Sequence, residues 1–439
     1  MRNSRARRPT LTALTLLSLL GAVCAGTGTD AGAAATPPQA PPQPPSVRSG
    51  YPTGISRDGR VVAFDEFVTN WPRGQTLHWV RDAARGRTLA IDRSGADVDS
   101  ATGALTPDGR YATAATGSNT IYDQLVSQVE VFDLVRQVAV TVSVNQAGVG
   151  GNGISAEPAI SAGGRYVAFT SAATDLVPGD GNGTADVFVH DLSLGGTSRV
   201  SLSTQPRPSG SPAISADGRY VAFTSAATDL VPGDTNRVTD VFVRDRRAGR
   251  TRLVSVSSQG WLANHSSGQP ALSADGRYLA FTSAATNLVP GDSNGAADVF
   301  VRDLVTGRAT RVSAGPRGAP GDGPSSAPAI SADGRYVAFE SLAANLVAGD
   351  TNLTWDVFVR DRSLGSTERI TVNPGGDQAD YASRMPVLSP DGRYVAFQSR
   401  ATNLAPGPRI WDDDVYAVDR VTHAISRINV GIATPGRPG

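Results

Sequence analysis

The chain has 439 residues, with 40 basic and 40 acidic side chains and a formal charge of zero. All 40 bases are arginine, and the balance excludes nucleic acid or an anionic membrane surface as the principal partner. A single cysteine excludes a disulfide scaffold, while 48 glycines and 29 prolines supply turns throughout.

The first predicted element is an address. Arg2, Arg5, Arg7 and Arg8 precede an apolar run from Leu11 to Val23, followed by the small residues Ala25 and Gly26. That order predicts a secretory signal peptide over 1–25 and a secreted, periplasmic or cell-surface location. Cys24, the lone cysteine, keeps open a lipoprotein anchor as the one route to a membrane. Residues 26–50 hold the proline-dense TPPQAPPQPPS, which favours an extended spacer.

From Tyr51 the chain repeats itself. SRDGR at Ser56 returns as TPDGR at Thr106, SAGGR at Ser161, SADGR at Ser215, Ser273 and Ser331, and SPDGR at Ser389. The second glycine-side positions Gly59, Gly109, Gly164, Gly218, Gly276, Gly334 and Gly392 are spaced 50, 55, 54, 58, 58 and 58 residues apart. Each unit reads as four short strands. In the fourth these are Pro212–Ser215, Tyr220–Thr224, Val241–Arg244 and Arg252–Val256, with a hairpin at Asp217-Gly218. The second strand is apolar at consecutive positions, as expected of a sheet covered on both faces. The fold class is therefore all-β: a seven-bladed β-propeller of four-stranded antiparallel blades over 51–431, with a short tail at 432–439. Strands complete within each unit predict a ring closed without an exchanged strand.

The recurring S-x-D-G-R-Y-[VL]-A-F and D-V-F-V-R-D segments resemble the WD40-like (PD40) propeller repeats of TolB-type proteins. The resemblance implies a binding scaffold and, in some relatives, an accessory or catalytic domain. The α/β domain that precedes the propeller in TolB has no counterpart in the residues before Tyr51, so the TolB partner is not implied.

Strand alternation sends the second and fourth connections of every blade, the long ones, to one face. The second connection carries a repeated set of oxygen donors: Asp180, Asn182 and Asp186; Asp234, Asn236 and Asp240; Asp292, Asn294 and Asp298; Asp350, Asn352 and Asp356. This spacing suits a weak calcium loop lacking the usual twelfth-position glutamate, and equally suits side chains that brace the turn. No other cofactor is indicated.

Arginines present in nearly every unit point to structural work. Arg219, Arg277, Arg335 and Arg393 are expected to anchor hairpins or bridge blades, and Arg244, Arg302 and Arg360, each followed by an aspartate, to pair locally. Residues that occur once are the candidates for binding: Trp261, His265, Asp377, Asp380, Tyr381, and Trp411 with Asp412 to Asp414. Catalytic signatures are sparse. No G-x-S-x-G elbow occurs, and His78, His190, His265 and His423 fall in four different units. The expected function is a non-catalytic scaffold for an envelope or extracellular protein or glycan. The alternative is a carbohydrate-active lyase or hydrolase acting near the central channel.

Overall fold

A computed structural model describes residues 48–68, 75–91, 103–117, 126–407 and 412–430. The expected signal peptide with Cys24, most of the spacer, Trp411 and the tail lie outside the described residues.

Every blade is built the same way. Seven antiparallel sheets of four consecutive strands follow one another, over 48–90, 104–141, 155–199, 209–253, 267–311, 325–369 and 383–427. The first strands of neighbouring blades approach one another, which makes them the inner strands around the central axis. The apolar run of the second strand, Tyr220–Ser225 in blade 4, and the third, Asp240–Asp245, form the buried middle of each sheet. Phe223 and Phe242 stack across these two strands at 5.7 Å between ring centroids, and the pair returns in blades 3, 5 and 6. One face of each blade packs on the next: Ala222, Val241, Val243 and Val254 of blade 4 bury Leu279, Phe281 and Phe300 of blade 5. Among the described residues no strand is exchanged to close the ring. Ile55, Val62 and Phe64 of blade 1 instead share a core with Ala396, Val415 and Ile428 of blade 7. Asp413 clasps the same junction, accepting Ser49 Oγ at 2.8 Å and, through its carbonyl, the Gly50 amide at 2.9 Å.

The Asp-Gly turns show why their sequence repeats. Ser215 Oγ donates to Asp217 at 2.7 Å and receives the Tyr220 amide at 2.9 Å, closing the hairpin. Gly218 sits at φ +72°, and a Cβ there would lie 2.1 Å from the Tyr166 ring of the preceding blade. Only glycine admits both that conformation and that close approach. Arg219 lies over the Tyr220 ring and forms a bidentate pair with Asp245 at 3.0 and 2.6 Å. The same pairing joins Arg277 to Asp303, Arg335 to Asp361 and Arg393 to Asp419. These arginines therefore anchor hairpins within a blade, as expected.

Arg244 and Arg360 pair locally, with Thr251 and Thr367, and none of Arg244, Arg302 and Arg360 takes the aspartate that follows it, which a turn arginine already holds. Arg244 donates to Thr251, while Arg302 reaches the carbonyls of Val256 and Ser257 and Arg360 that of Ala314, each in the connection from the preceding blade. Successive side chains on a strand point to opposite faces, so adjacent residues do not pair.

Around the short-turn face, Ala162, Ala216, Ala274 and Ala332 each donate a backbone N–H to the same position of the next blade, at 2.7–3.2 Å. Pro107 and Pro390 occupy this position in blades 2 and 7 and accept such a bond, but they have no N–H to pass it on.

Candidate functional site

The long connections are tied into a lattice before they offer anything to a ligand. Asn264, between blades 4 and 5, receives the Thr286 amide at 3.0 Å and donates to Thr286 Oγ1 at 2.9 Å. Asn152 and Asp322 accept the equivalent amides of Thr174 and Ala344. Asp380 does the same for Thr402 at 2.7 Å, so it repeats a bracing role that other blades give to asparagine or aspartate. Asp377 is exposed and closes a small turn, donating its amide to Asn373 at 2.9 Å and accepting the Asn373 side chain at 3.1 Å.

The Asp-Asn-Asp loops are organised by a partner from the outer strand. In blade 3, Arg199 lies 2.8 Å from Asp180 and 3.2 Å from Asp186. Arg311 bridges Asp292 and Asp298 at 3.2 and 3.7 Å, and Arg369 meets Asp350 at 3.2 Å. The asparagine faces the second aspartate with its NH2 group: Asn182, Asn294 and Asn352 donate to Asp186, Asp298 and Asp356 at 2.7, 3.0 and 2.8 Å. Their Oδ1 atoms accept turn amides instead. In these three loops a guanidinium supplies the positive charge. Among the described residues no three histidine, cysteine, aspartate or glutamate side chains gather as a metal cluster.

Blade 4 departs from this arrangement. Leu253 ends its outer strand where Arg199, Arg311 and Arg369 end theirs. Asp240 still accepts Ser255 Oγ, but Asp234 Oδ1 and Asp240 Oδ2 are buried without a hydrogen-bond partner. Burial, then repulsion from Asp240, pushes the Asp234 carboxyl up to about 6, and burial raises Asp240 as well. Burial also raises Asp292 to about 6 although Arg311 opposes it, so the guanidinium offsets only part of the desolvation. As Asn294 and Asn352 do to the Gly321 and Ala379 carbonyls, Asn236 donates its NH2 group to the Ala263 carbonyl at 3.1 Å, joining this loop to the connection that bears Trp261.

Several side chains of the long connections are exposed. Trp261 (68% exposed) stands at the tip of its turn, with His265 exposed four residues on. Tyr381 (56%) occupies the position of His265 two connections later, before the inner strand Ser383–Leu388. The Ser383 amide bonds the Trp355 carbonyl at 2.7 Å, and the Arg384 guanidinium lies 4.3 Å from the centroid of the Trp355 ring. Leu353 (83%) and Met385 are exposed beside them in sequence. Leu353 and Met385 both hold positive φ, 56° and 53°. In Met385 this is part of a bulge common to the inner strands, seen also at Glu157, Ser211, Gln269 and Ala327, each of which precedes a proline. The bulge turns an amide toward the neighbouring blade: Met385 N–H donates to Glu340 at 2.8 Å, and Ser211 N–H to Glu157 at 2.7 Å.

Trp355, Arg384, Leu353 and Met385 were not among the residues singled out from the sequence. Superposing the repeats exposes them: Ala185, Thr239 and Ala297 align with Trp355, and Gly210, Gly268 and Ser326 with Arg384.

The short-turn side also shows apolar tips, Val135, Leu194, Val305, Leu364 and Val421. They lie on five different blades, with Val135 joined by the exposed Val138 and Val140 of its own blade. In blade 1, His78 Nδ1 lies 2.5 Å from Asp65 while Nε2 lies 3.0 Å from the Ala115 carbonyl, and both side chains are 2% exposed. With both ring nitrogens engaged in the interior, this pair stitches blade 1 to blade 2.

Fold and repeat together define a seven-bladed β-propeller of four-stranded antiparallel blades. No protein-family model matches the chain, and no curated protein matches it. Solved structures do. The β-propeller domain of the Trilobed protease from Pyrococcus furiosus, described as having an open velcro topology, aligns at 11% identity and TM-score 0.55, covering 87% of this chain and 96% of that one. The oligogalacturonate lyase of Vibrio parahaemolyticus aligns at 13% identity and TM-score 0.50, covering 81% and 88%. A TolB-annotated structure from Agrobacterium tumefaciens aligns at 19% identity and TM-score 0.42, covering 69% and 87%. At these identities the likeness is one of fold.

Proposed function

We propose that this protein is a secreted or cell-surface, non-catalytic scaffold that binds an envelope or extracellular protein or glycan through its long-loop face. The observation that carries the reading is the Arg384 guanidinium lying 4.3 Å from the centroid of the Trp355 ring, with Leu353, Tyr381 and Met385 exposed on neighbouring segments of blade 6, the connection and blade 7. Tryptophan, tyrosine, arginine and methionine are the side chains enriched where proteins bind proteins, so a protein partner fits this patch better than a glycan does. The export signal expected over 1–25 supports an extracytoplasmic setting, and among the described residues no helix is long and apolar enough to cross a membrane.

The experiment is crosslinked capture from the native envelope beside a glycan array, using wild type, Tyr381→Ala and Leu353→Asp. A partner captured by wild type and lost by both variants, with melting unchanged, supports the proposal. A glycan hit lost in the same variants keeps the site and changes the ligand class. Capture indifferent to both variants removes the site. Release of unsaturated products from oligogalacturonate, the substrate in the name of the Vibrio neighbour, would favour the enzymatic alternative instead.

A further inference from the structure

The repeats provide an internal control for one loop. In blades 3, 5 and 6 the first loop aspartate is met by an arginine from the end of the outer strand, and in blades 3 and 5 the same arginine also reaches the second. Blade 4 keeps both aspartates and replaces the arginine with Leu253. Asp234 is 6% exposed and Asp240 0%, and the two oxygens left without a partner, Asp234 Oδ1 and Asp240 Oδ2, belong to the carboxylates that Arg199 and Arg311 bridge elsewhere. Among the described residues no ion pair reaches either one, and the loop's own Arg237 is exposed.

Two buried carboxylates left unneutralised are costly, whereas a pair that coordinates a cation is not. We propose that Asp234 and Asp240 hold a calcium ion in the position that the outer-strand arginine fills in the neighbouring blades. The donors are carboxylate oxygens alone, which select a hard cation over the metals that prefer thiolate or imidazole. Calcium accepts an irregular oxygen shell completed by carbonyls and water, while magnesium demands near-octahedral geometry. With only two charged ligands the site is of the weak extracellular grade, with a dissociation constant of roughly 10⁻⁴–10⁻³ M. Occupancy has a local consequence. The bond from Asn236 to the Ala263 carbonyl, 3.1 Å, links the loop to the turn presenting Trp261, so the ion would steady that tryptophan. The inference stands independently of the partner proposed above.

The test is calcium titration calorimetry on the chelator-treated full-length protein, with melting compared in about 2 mM calcium and in chelator. Wild type is expected to bind a single ion and to melt several degrees higher with calcium. Leu253→Arg restores the guanidinium of the sister blades and is expected to abolish both responses while melting in chelator as wild type does with calcium. Asp234→Asn, nearly isosteric, is expected to abolish binding too. Absence of binding in wild type, or an ion retained by either variant, overturns the proposal.

Discussion

The two faces of the disc obey different rules. On the short-turn face the blades share one solution: a serine or threonine closes the hairpin, with an aspartate in six of the seven, a glycine admits a side chain of the blade before (a tyrosine in six, Val61 at Gly109), and an arginine pairs with the aspartate of the next turn. The long-loop face keeps a common bracing lattice yet varies at chosen points, with Leu253 in place of arginine in blade 4 and Trp355, Tyr381 and Arg384 gathered at blades 6 and 7. Repetition within one chain thus separates structural residues from candidates for recognition, because every blade meets the same packing demand while a ligand meets only some of them.

The largest effect is expected at the repeated face. Gly218→Ala forces a Cβ to within 2.1 Å of the Tyr166 ring at φ +72°, and the loss is expected to be about 3–5 kcal/mol in urea unfolding. A loss below about 1 kcal/mol would show that the blade interface yields easily. Next comes acid sensitivity. The Arg219 hydrogen bond holds Asp245 down at about 2, and Arg277 and Arg393 depress Asp303 and Asp419 likewise. A carboxylate with a depressed folded value stabilises fully above its ordinary value near 3.8, and that contribution disappears as pH falls through about 2. Melting temperature should therefore fall steeply below pH 4. Arg219→Met should lower it at neutral pH and flatten part of the acid slope. Equal slopes in the two proteins would break the link.

Smaller effects are expected on the other face. Tyr381→Ala and Leu353→Asp should each alter stability by no more than about 0.5 kcal/mol while weakening partner capture by tenfold or more. Trp261→Ala should weaken capture least, because its turn stands apart from the Trp355–Arg384 stack, and its effect should shrink when calcium is removed. A Trp261 variant that abolishes capture would move the centre of the site toward blade 5.

What the sequence revealed follows the same division. The Asp-Gly turns and their regular spacing were legible because each motif is local, and a seven-fold count fixes the ring. Contacts made across strands were not. Arg199 lies 13 residues beyond Asp186, and only the hairpin register brings them together. The local partner of Arg244 is Thr251, which the hairpin register sets opposite it, while alternation along the strand turns the adjacent Asp245 away. Asp380 looked singular because sister blades do the same job with Asn152 and Asn264. Trp355 and Arg384 were hidden inside repeated segments, visible only when the copies are compared position by position.

Hydrogen exchange on the partner complex tests the division of the two faces most directly. Slowed exchange confined to the connections around Leu353, Trp355, Tyr381 and Arg384, with the Asp-Gly turns unchanged, is the predicted result. Slowed exchange centred on the short turns near Val305 and Leu364 would contradict it.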